Sequence, residues 1–223
     1  MFKIKVCGIT DVEDAQAAID AGADAIGLNF YRGSKRHVHS ADARRIAERI
    51  GHSANKIGVF VNESAAGIRE VCREVGLHFV QLHGDEPPGF LKLLNADHDI
   101  IRARRLDDRG MQAIDDDRQA CSDQAGVCPA AILIDAAAIG EFGGSGQVAD
   151  WERIAQERGL LTGNVPLILA GGLTPDNVAE AIRVVRPDAV DVASGVESAP
   201  GKKDPHKLRE FVAAARDAFL RYS

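Results

Sequence analysis

The sequence has 223 residues, of which 45% are hydrophobic and 27% are charged, and its formal net charge is −6. This size and composition predict one globular domain over residues 1–223 with a sizeable buried core. The negative charge excludes nucleic acid or an anionic membrane surface as the main partner, because both attract proteins that carry a concentrated positive field.

The start of the chain and its cysteines bear on the expected compartment. No stretch approaches the ~18 apolar residues of a membrane span, and residues 1–10 lack the long apolar segment of a signal peptide. The cysteines form no C-x-x-C pair, and a disulfide framework is not expected without a secretion signal. We therefore expect a cytoplasmic protein with free thiols at Cys7, Cys72, Cys121 and Cys128.

Short runs rich in β-branched and other apolar residues recur along the chain and predict eight strands. The runs begin roughly 20 to 35 residues apart, a spacing that suits strand–helix units. The predicted strands are residues 3–9, 25–30, 56–61, 79–84, 100–106, 130–136, 165–172 and 189–195.

Helix signals occupy the segments between these strands. Residues 11–21 are rich in alanine, carry acidic residues in their first turn, and stop at Gly22, a residue type suited to ending a helix. Capping residues, in two cases followed by a proline that favours the first helical turn, mark the start of further helices. These predicted starts are Ser40, Ser64, Thr174-Pro175 and Asp204-Pro205.

The segment before the sixth predicted strand gives a weaker signal. Residues 107–129 are acidic, and the stretch 115–129 predicts a frayed helix end followed by an extended loop. This interpretation places Cys121 and Cys128 in the loop. A linker between two domains is excluded here, because the chain after it holds too few strands for a sheet domain of its own.

The alternation of strands and helices predicts a parallel sheet, because right-handed crossovers return each strand to the same direction. Eight such units fit a closed (β/α)8 TIM barrel with an outer ring of helices, at the small end of its size range. The alternative is an open, doubly wound sheet. Glycine-rich strand ends late in the chain favour the barrel.

Polar and ionisable residues stand where several predicted strands end. In a barrel, active sites lie at the C-terminal ends of the strands and in the loops that follow them. Residues from different strands would therefore converge on one site. The candidates are Cys7, Arg36 in the loop after the second strand, His83, Arg102 or Arg104, Asp135, Gly171 with Gly172, and Ser194 with Gly195.

Strand alternation predicts the neighbours of the first-strand cysteine. Cys7 shares a strand face with Lys5 and Lys3, so Lys5 would lie one layer beneath the thiol if that face points to the barrel axis. A lysine inside a barrel needs a counter-charge, and Asp191 on the adjacent eighth strand is the candidate. The alternative is that both lysines face the helices and extend to water.

Turns after the sixth, seventh and eighth strands, at residues 141–147, 170–177 and 193–198, are rich in glycine. Glycine lets backbone N–H groups approach an anion, and the loops after the last barrel strands frequently bind phosphate. The loop over residues 31–39 is basic. It is either a solvated surface loop or the source of an arginine that grips a substrate carboxylate. We expect a small phosphorylated ligand.

Two other kinds of site have little support in the sequence. His37-x-His39, or Cys7 with His78 and His83, lacks the spacing of a zinc site. A serine hydrolase is disfavoured because the sequence has no G-x-S-x-G nucleophile turn.

Several stretches, in order along the whole chain, are distinctive together. They include KVCGIT (5–10), VQLHGDE (80–86), FGGSGQ (142–147), LAGGLTPDNV (169–178) and VDVASGVESAPGKKD (190–204). On these motifs the sequence resembles the phosphoribosylanthranilate isomerase family, barrel enzymes of tryptophan biosynthesis. The resemblance implies an Amadori rearrangement of N-(5-phosphoribosyl)anthranilate to 1-(2-carboxyphenylamino)-1-deoxyribulose 5-phosphate. It implies no metal, nucleotide or redox cofactor, and a monomer or a homodimer.

The resemblance also implies roles for individual residues. Cys7 would be the general base and Asp135 the general acid, and the cations Lys5 and Arg36 are expected to lower the thiol pKa while burial raises that of Asp135. The implied substrate-binding residues are Arg36, His83 and Asp191. The implied phosphate-binding residues are Gly144, Gly171, Gly172, Ser194 and Gly195. The chain departs from the family at Arg102, where lysine is more usual.

Two rival functions remain at this stage. The related Amadori enzyme of histidine biosynthesis uses aspartates for both roles and a substrate with two phosphates. Cys7 and a single phosphate cluster argue against it. A barrel that binds phosphate without catalysis would lack the acid–base pair, whereas both residues are present in this sequence.

Overall fold

The computed structural model describes residues 1–135 and 150–222, and eight parallel strands in these residues close into a barrel. Each strand pairs with the next one along the chain, and the eighth pairs with the first. The predicted (β/α)8 barrel is confirmed, and the open-sheet alternative is wrong. The strands are β1 (Ile4–Cys7), β2 (Ala25–Asn29), β3 (Asn55–Phe60), β4 (Phe79–Leu82), β5 (Asp99–Arg105), β6 (Ala131–Asp135), β7 (Leu167–Leu169) and β8 (Ala189–Val192).

Helices surround the barrel, and one connection differs from the others. A short 3-10 helix, Pro88–Leu93, stands between β4 and β5 where an α-helix usually lies. A hairpin of β9 (Glu197–Ala199) and β10 (Lys202–Lys203) follows β8. No helix of the described residues is long and apolar enough to cross a membrane. The α-helices are α1 (Val12–Ala21), α2 (Ser40–Ile50), α3 (Ala65–Val75), α4 (Met111–Ala125), α5 (Trp151–Glu157), α6 (Val178–Val185) and α7 (Pro205–Tyr222).

Two layers of apolar side chains form the core. One fills the space between strands and helices, and a smaller cluster fills the barrel interior. Because strand residues alternate between these layers, most strand residues on both faces are apolar. The interior cluster consists of Phe2, Ala25, Ile57, Ile101, Ala103, Ala131, Leu133, Ile168, Ala170 and Ala189.

The predicted helix starts are partly confirmed. Ser64 caps α3 by accepting a hydrogen bond from Gly67 N, and Asp204 accepts bonds from the first turn of α7. Ser40 is not a cap, because it is the first helical residue of α2. The start at Thr174 is also wrong: a turn comes first, and α6 begins at Val178.

The acidic segment before β6 is a regular helix, which corrects the predicted loop. In α4, the buried residues Met111, Ile114, Cys121 and Ala125 recur at intervals of three, four or seven and face the barrel. Arg118 completes this stripe, and its charge is met by Asp115 at 2.7 Å. The exposed acidic residues hide the apolar period, so the sequence alone suggested a loop.

Arg102 and Arg104 of β5 face the helix layer, which removes both from the candidate site residues. Arg102 Nη2 donates to Asp117 Oδ1 on α4 at 2.8 Å, and Arg104 Nε donates to the same carboxylate at 3.0 Å. Burial raises the pKa of Asp117, but these hydrogen bonds outweigh burial and leave that pKa below its ordinary value. Asp117 of α4 thus supplies the counter-charge for Arg102 and Arg104.

Candidate active site

A cavity opens at the C-terminal ends of the strands, and the space among its lining residues, including open solvent at its mouth, is about 710 Å³. Most of the residues predicted from the sequence line it: Cys7, Arg36, His83, Asp135, Gly171, Gly172, Asp191 and Ser194. Gly144 lies outside the described residues. Within those residues, no group of three or more His, Cys, Asp or Glu side chains is placed to hold a metal ion.

Lys5 points into the barrel beneath the thiol, as expected. Its side chain is fully buried, and Nζ lies 2.9 Å from Asp191 Oδ2 on β8. β1 and β8 place the two residues side by side in register. Burial lowers the pKa of Lys5, but Asp191 and Cys7 together outweigh burial and leave that pKa raised. Lys3 does not share this face: its Nζ lies over the ring of Phe219 on α7.

The protonation of Cys7 differs from the expectation. Burial raises the pKa of this thiol above its ordinary value, and Asp191 raises it further. Lys5 and Lys203 act in the opposite sense without reversing the shift. At neutral pH the free protein therefore holds Cys7 mainly as the thiol. The expected lowering by Lys5 is present, but desolvation is larger.

His83 bridges the cavity wall between β4 and β6. Its Nε2 lies 3.1 Å from Asp135 Oδ2, and its Nδ1 lies 2.8 Å from Gln81 Nε2. Asp135 is the last residue of β6 and is only 6% exposed. The carboxyl is therefore oriented by a neighbouring imidazole before any substrate binds.

Two charged residues that the sequence analysis did not identify lie behind Arg36. Glu197 on β9 accepts from Arg36 Nε at 2.7 Å and from Arg36 Nη2 at 2.8 Å. Lys203 Nζ contacts the same carboxylate at 3.0 Å and donates to Cys7 O at 2.7 Å. Burial lowers the pKa of Lys203. Both residues lie in the stretch VESAPGKKD, whose charges were the available signal.

The turns after β7 and β8 form the part of the cavity suited to an anion. Gly171 and Gly172 have φ values of +86° and +68°, a region that favours glycine. Ser194 lines the cavity beside them. Gly195 packs against the β7 turn so closely that an added Cβ would lie 1.8 Å from Leu173 O. Small residues are therefore required where the two turns meet.

Gly27 on β2 is the neighbour that allows Lys5 and Cys7 to lie where they do. A Cβ at this position would lie 2.6 Å from Cys7 Sγ and 3.2 Å from Lys5 Nζ. Gly27→Ala should therefore displace both groups and lower kcat by about 10²-fold, the usual effect of misplacing a reacting group. Steady-state kinetics on the folded variant measures the loss.

Gly159→Ala is the matched control, because an added Cβ there meets nothing within 4 Å. It should leave kcat unchanged. Full activity of a folded Gly27→Ala variant would show that the thiol and the ammonium do not need their present positions.

A family model described as N-(5′-phosphoribosyl)anthranilate (PRA) isomerase matches residues 4–214 of the chain. Among curated relatives, the N-(5′-phosphoribosyl)anthranilate isomerase of Trichlorobacter lovleyi is 45% identical over 219 residues. The matched part is 98% of this chain and 100% of the relative.

Solved structures agree with the sequence matches. The phosphoribosyl anthranilate isomerase of Thermotoga maritima superimposes with a TM-score of 0.85 at 38% identity, over 97% of this chain and 100% of that one. A second matching structure is of that kind of enzyme in complex with reduced 1-(o-carboxyphenylamino)-1-deoxyribulose 5-phosphate. Its TM-score is 0.82 at 38% identity, with the same coverage.

Proposed function

The chain belongs to the phosphoribosylanthranilate isomerase family and catalyses that family's isomerisation in tryptophan biosynthesis, and we propose that Cys7 and Asp135 carry the reaction as its base and its acid. The observation that supports these roles is their common cavity. A thiol and a carboxyl, from strands that are not neighbours, both line it. The reaction requires one proton to be delivered to the ring oxygen and another to be removed from C2′, which suits two separate groups.

Asp135 serves the ring-opening step. The substrate is a furanose whose C1′ bears the anthranilate nitrogen, and opening breaks the bond between C1′ and the ring oxygen. That oxygen would leave as an alkoxide, a poor leaving group, so an acid must deliver a proton as the bond breaks. Protonated Asp135 gives this proton, and the nitrogen lone pair forms the Schiff base.

Cys7 serves the next step. The Schiff base makes the C2′ proton acidic, and the Cys7 thiolate removes it to give an enolamine. The enol hydroxyl at C2′ then loses its proton to solvent and C1′ gains one from solvent, which leaves the ketone. The thiol and the carboxylate exchange a proton with solvent to restore the starting forms. No atom is gained or lost, as an isomerisation requires.

The raised thiol pKa has opposing effects on this step. It reduces the fraction of thiolate about tenfold for each unit by which the pKa exceeds the pH. It also makes the thiolate a stronger base for a carbon acid. Lys5 and Lys203 limit the loss, because both cations favour the thiolate.

The remaining cavity residues bind the ends of the substrate. Glu197 occupies Nε and one N–H of Nη2 on Arg36, which leaves the Nη1–Nη2 edge to bind the anthranilate carboxylate. Gly172 and Ser194, with Gly171, present the backbone of the two turns to the phosphate. Asp191 Oδ1 has no hydrogen-bond partner among the described residues and accepts from a ribose hydroxyl.

The activity is tested with purified protein and N-(5-phosphoribosyl)anthranilate, by following the loss of substrate fluorescence. Wild type should consume the substrate, and Cys7→Ala measured beside it should not. If the fluorescence did not fall with wild type, the assigned isomerase activity would be wrong. Equal rates for both proteins would show that Cys7 is not the catalytic base.

Arg36→Met should raise KM more than it lowers kcat. Methionine keeps much of the side-chain length but cannot bind a carboxylate, and a charge-assisted pair contributes roughly ten- to hundredfold in binding. Steady-state kinetics separates the two constants. An unaltered KM would contradict the carboxylate-binding role.

The chain acts on a small phosphorylated substrate as a single domain, residues 1–223. Its site of action is the cytoplasm, and its assembly is a monomer or a homodimer. Sedimentation equilibrium of the purified protein distinguishes the two assemblies.

A further inference from the structure

Gln81 is a fully buried amide inside the barrel, directly beneath His83. It lies on β4, where its register neighbours are Val59 on β3 and Ile101 on β5. Its exposure is 0%. It is not among the residues that line the cavity, so it lies beyond the reach of a bound substrate. A polar side chain in this interior requires a reason other than ligand binding.

Within residues 1–135 and 150–222, the Gln81 amide makes one hydrogen bond, to the imidazole of His83. Gln81 Nε2 lies 2.8 Å from His83 Nδ1. Gln81 Oε1 is buried without a hydrogen-bond partner among the described residues. A buried acceptor without a partner is unfavourable. The orientation of this amide is therefore maintained by its contact with His83.

The direction of this hydrogen bond determines where the imidazole carries its proton. An amide N–H₂ group only donates, so Nδ1 of His83 must accept with its lone pair. A neutral imidazole has a single N–H, which then lies on Nε2. That nitrogen faces Asp135 Oδ2 at 3.1 Å and donates to it.

We propose that Gln81 is a positioning residue for the acid: its amide fixes the proton of His83 on Nε2, and His83 in turn orients the Asp135 carboxyl. The inference rests on the proposed role of Asp135. Gln81 acts through His83 and does not touch the substrate. Its loss should therefore lower kcat and leave KM nearly unchanged, because the binding groups in the loop after β2, on β8 and in the turns after β7 and β8 keep their positions.

The spectroscopic test uses protein labelled with ¹⁵N-histidine at neutral pH. The chain has seven histidines, and the His83 signals are identified by their absence from His83→Asn. In wild type, His83 should show an unprotonated Nδ1 and a protonated Nε2. A protonated Nδ1 in wild type would overturn the proposal.

Gln81→Glu is the decisive variant, because its shape is retained while the group facing Nδ1 becomes an acceptor. The proton should move to Nδ1, and kcat should fall.

Gln81→Met, which removes the hydrogen bond, should lower kcat roughly tenfold, the size of one lost hydrogen bond, with KM within about twofold. Gln124→Met, at an exposed glutamine of α4, is the matched control and should match wild type.

Each further outcome is decisive. An unprotonated Nδ1 in folded Gln81→Glu, or unchanged kcat in both Gln81 variants, would overturn the proposal. If Gln81→Glu does not fold, the wild-type spectrum and the kinetics of Gln81→Met still test whether Gln81 positions His83. A separate experiment shows whether Asp135 is the acid. If it is not, Asp135→Asn retains activity, and this result does not depend on the spectrum of His83.

Discussion

Replacing Asp135 by asparagine should lower kcat by ~10²–10⁴-fold, the usual contribution of one positioned acid–base group. Asparagine has the same shape and can still accept from His83, but it has no acidic proton to give to the ring oxygen. The oxygen must then leave with its proton supplied by water. KM should change little, because the carboxylate and phosphate contacts of the substrate involve other residues. Fluorescence-based steady-state kinetics measures both constants.

Asp123→Asn is the matched control for this substitution, because that aspartate is exposed on α4, away from the cavity. It should behave as wild type. A value of kcat for Asp135→Asn within about threefold of wild type, below the smallest effect of an acid–base group, would remove Asp135 from the proposed mechanism.

Cys7→Ser should lower kcat by a similar ~10²–10⁴-fold, because a hydroxyl is hardly ionised near neutral pH. The wild type should also respond to pH in a defined sense. Below the raised pKa of Cys7 the inactive thiol predominates. The value of kcat/KM should therefore climb as the pH rises toward that pKa, about tenfold per unit where the thiolate is a minor form.

Cys128→Ser provides the control for thiol substitution in general, since Cys128 is exposed and lies before β6. Its kinetics and its pH profile should follow wild type. A pH profile of wild type that stays flat through the alkaline range, together with an active Cys7→Ser variant, would mean that another group removes the C2′ proton.

Much of the candidate site was predictable because it depends on strand order and alternation. The pairing of Lys5 with Asp191 followed from two facts: a barrel brings its first and last strands together, and every second residue points inward. The positions of Cys7, His83 and Asp135 on the cavity followed from the same reasoning, since each stands at or just after a strand end.

What the sequence did not reveal depends on distances between side chains. The sign of the Cys7 pKa shift depends on whether desolvation or the two nearby lysines have the larger effect. No pattern of residue types in the sequence predicts which effect is larger. Glu197 and Arg36 are 161 positions apart in the chain, and their bidentate contact was not expected. The helix α4 was missed because its exposed acidic residues hide the apolar period and because its buried stripe includes a charged residue, Arg118.

The contact between Lys203 and the carbonyl of Cys7 joins positions 196 residues apart. A ribosome makes the thiol-bearing strand first and the lysine among the last segments. A nascent chain that ends before residue 191 therefore holds Cys7 with Lys5 but without Asp191, Glu197 and Lys203. The catalytic surroundings of this cysteine are complete only when the hairpin of β9 and β10 has been made and has packed against β1.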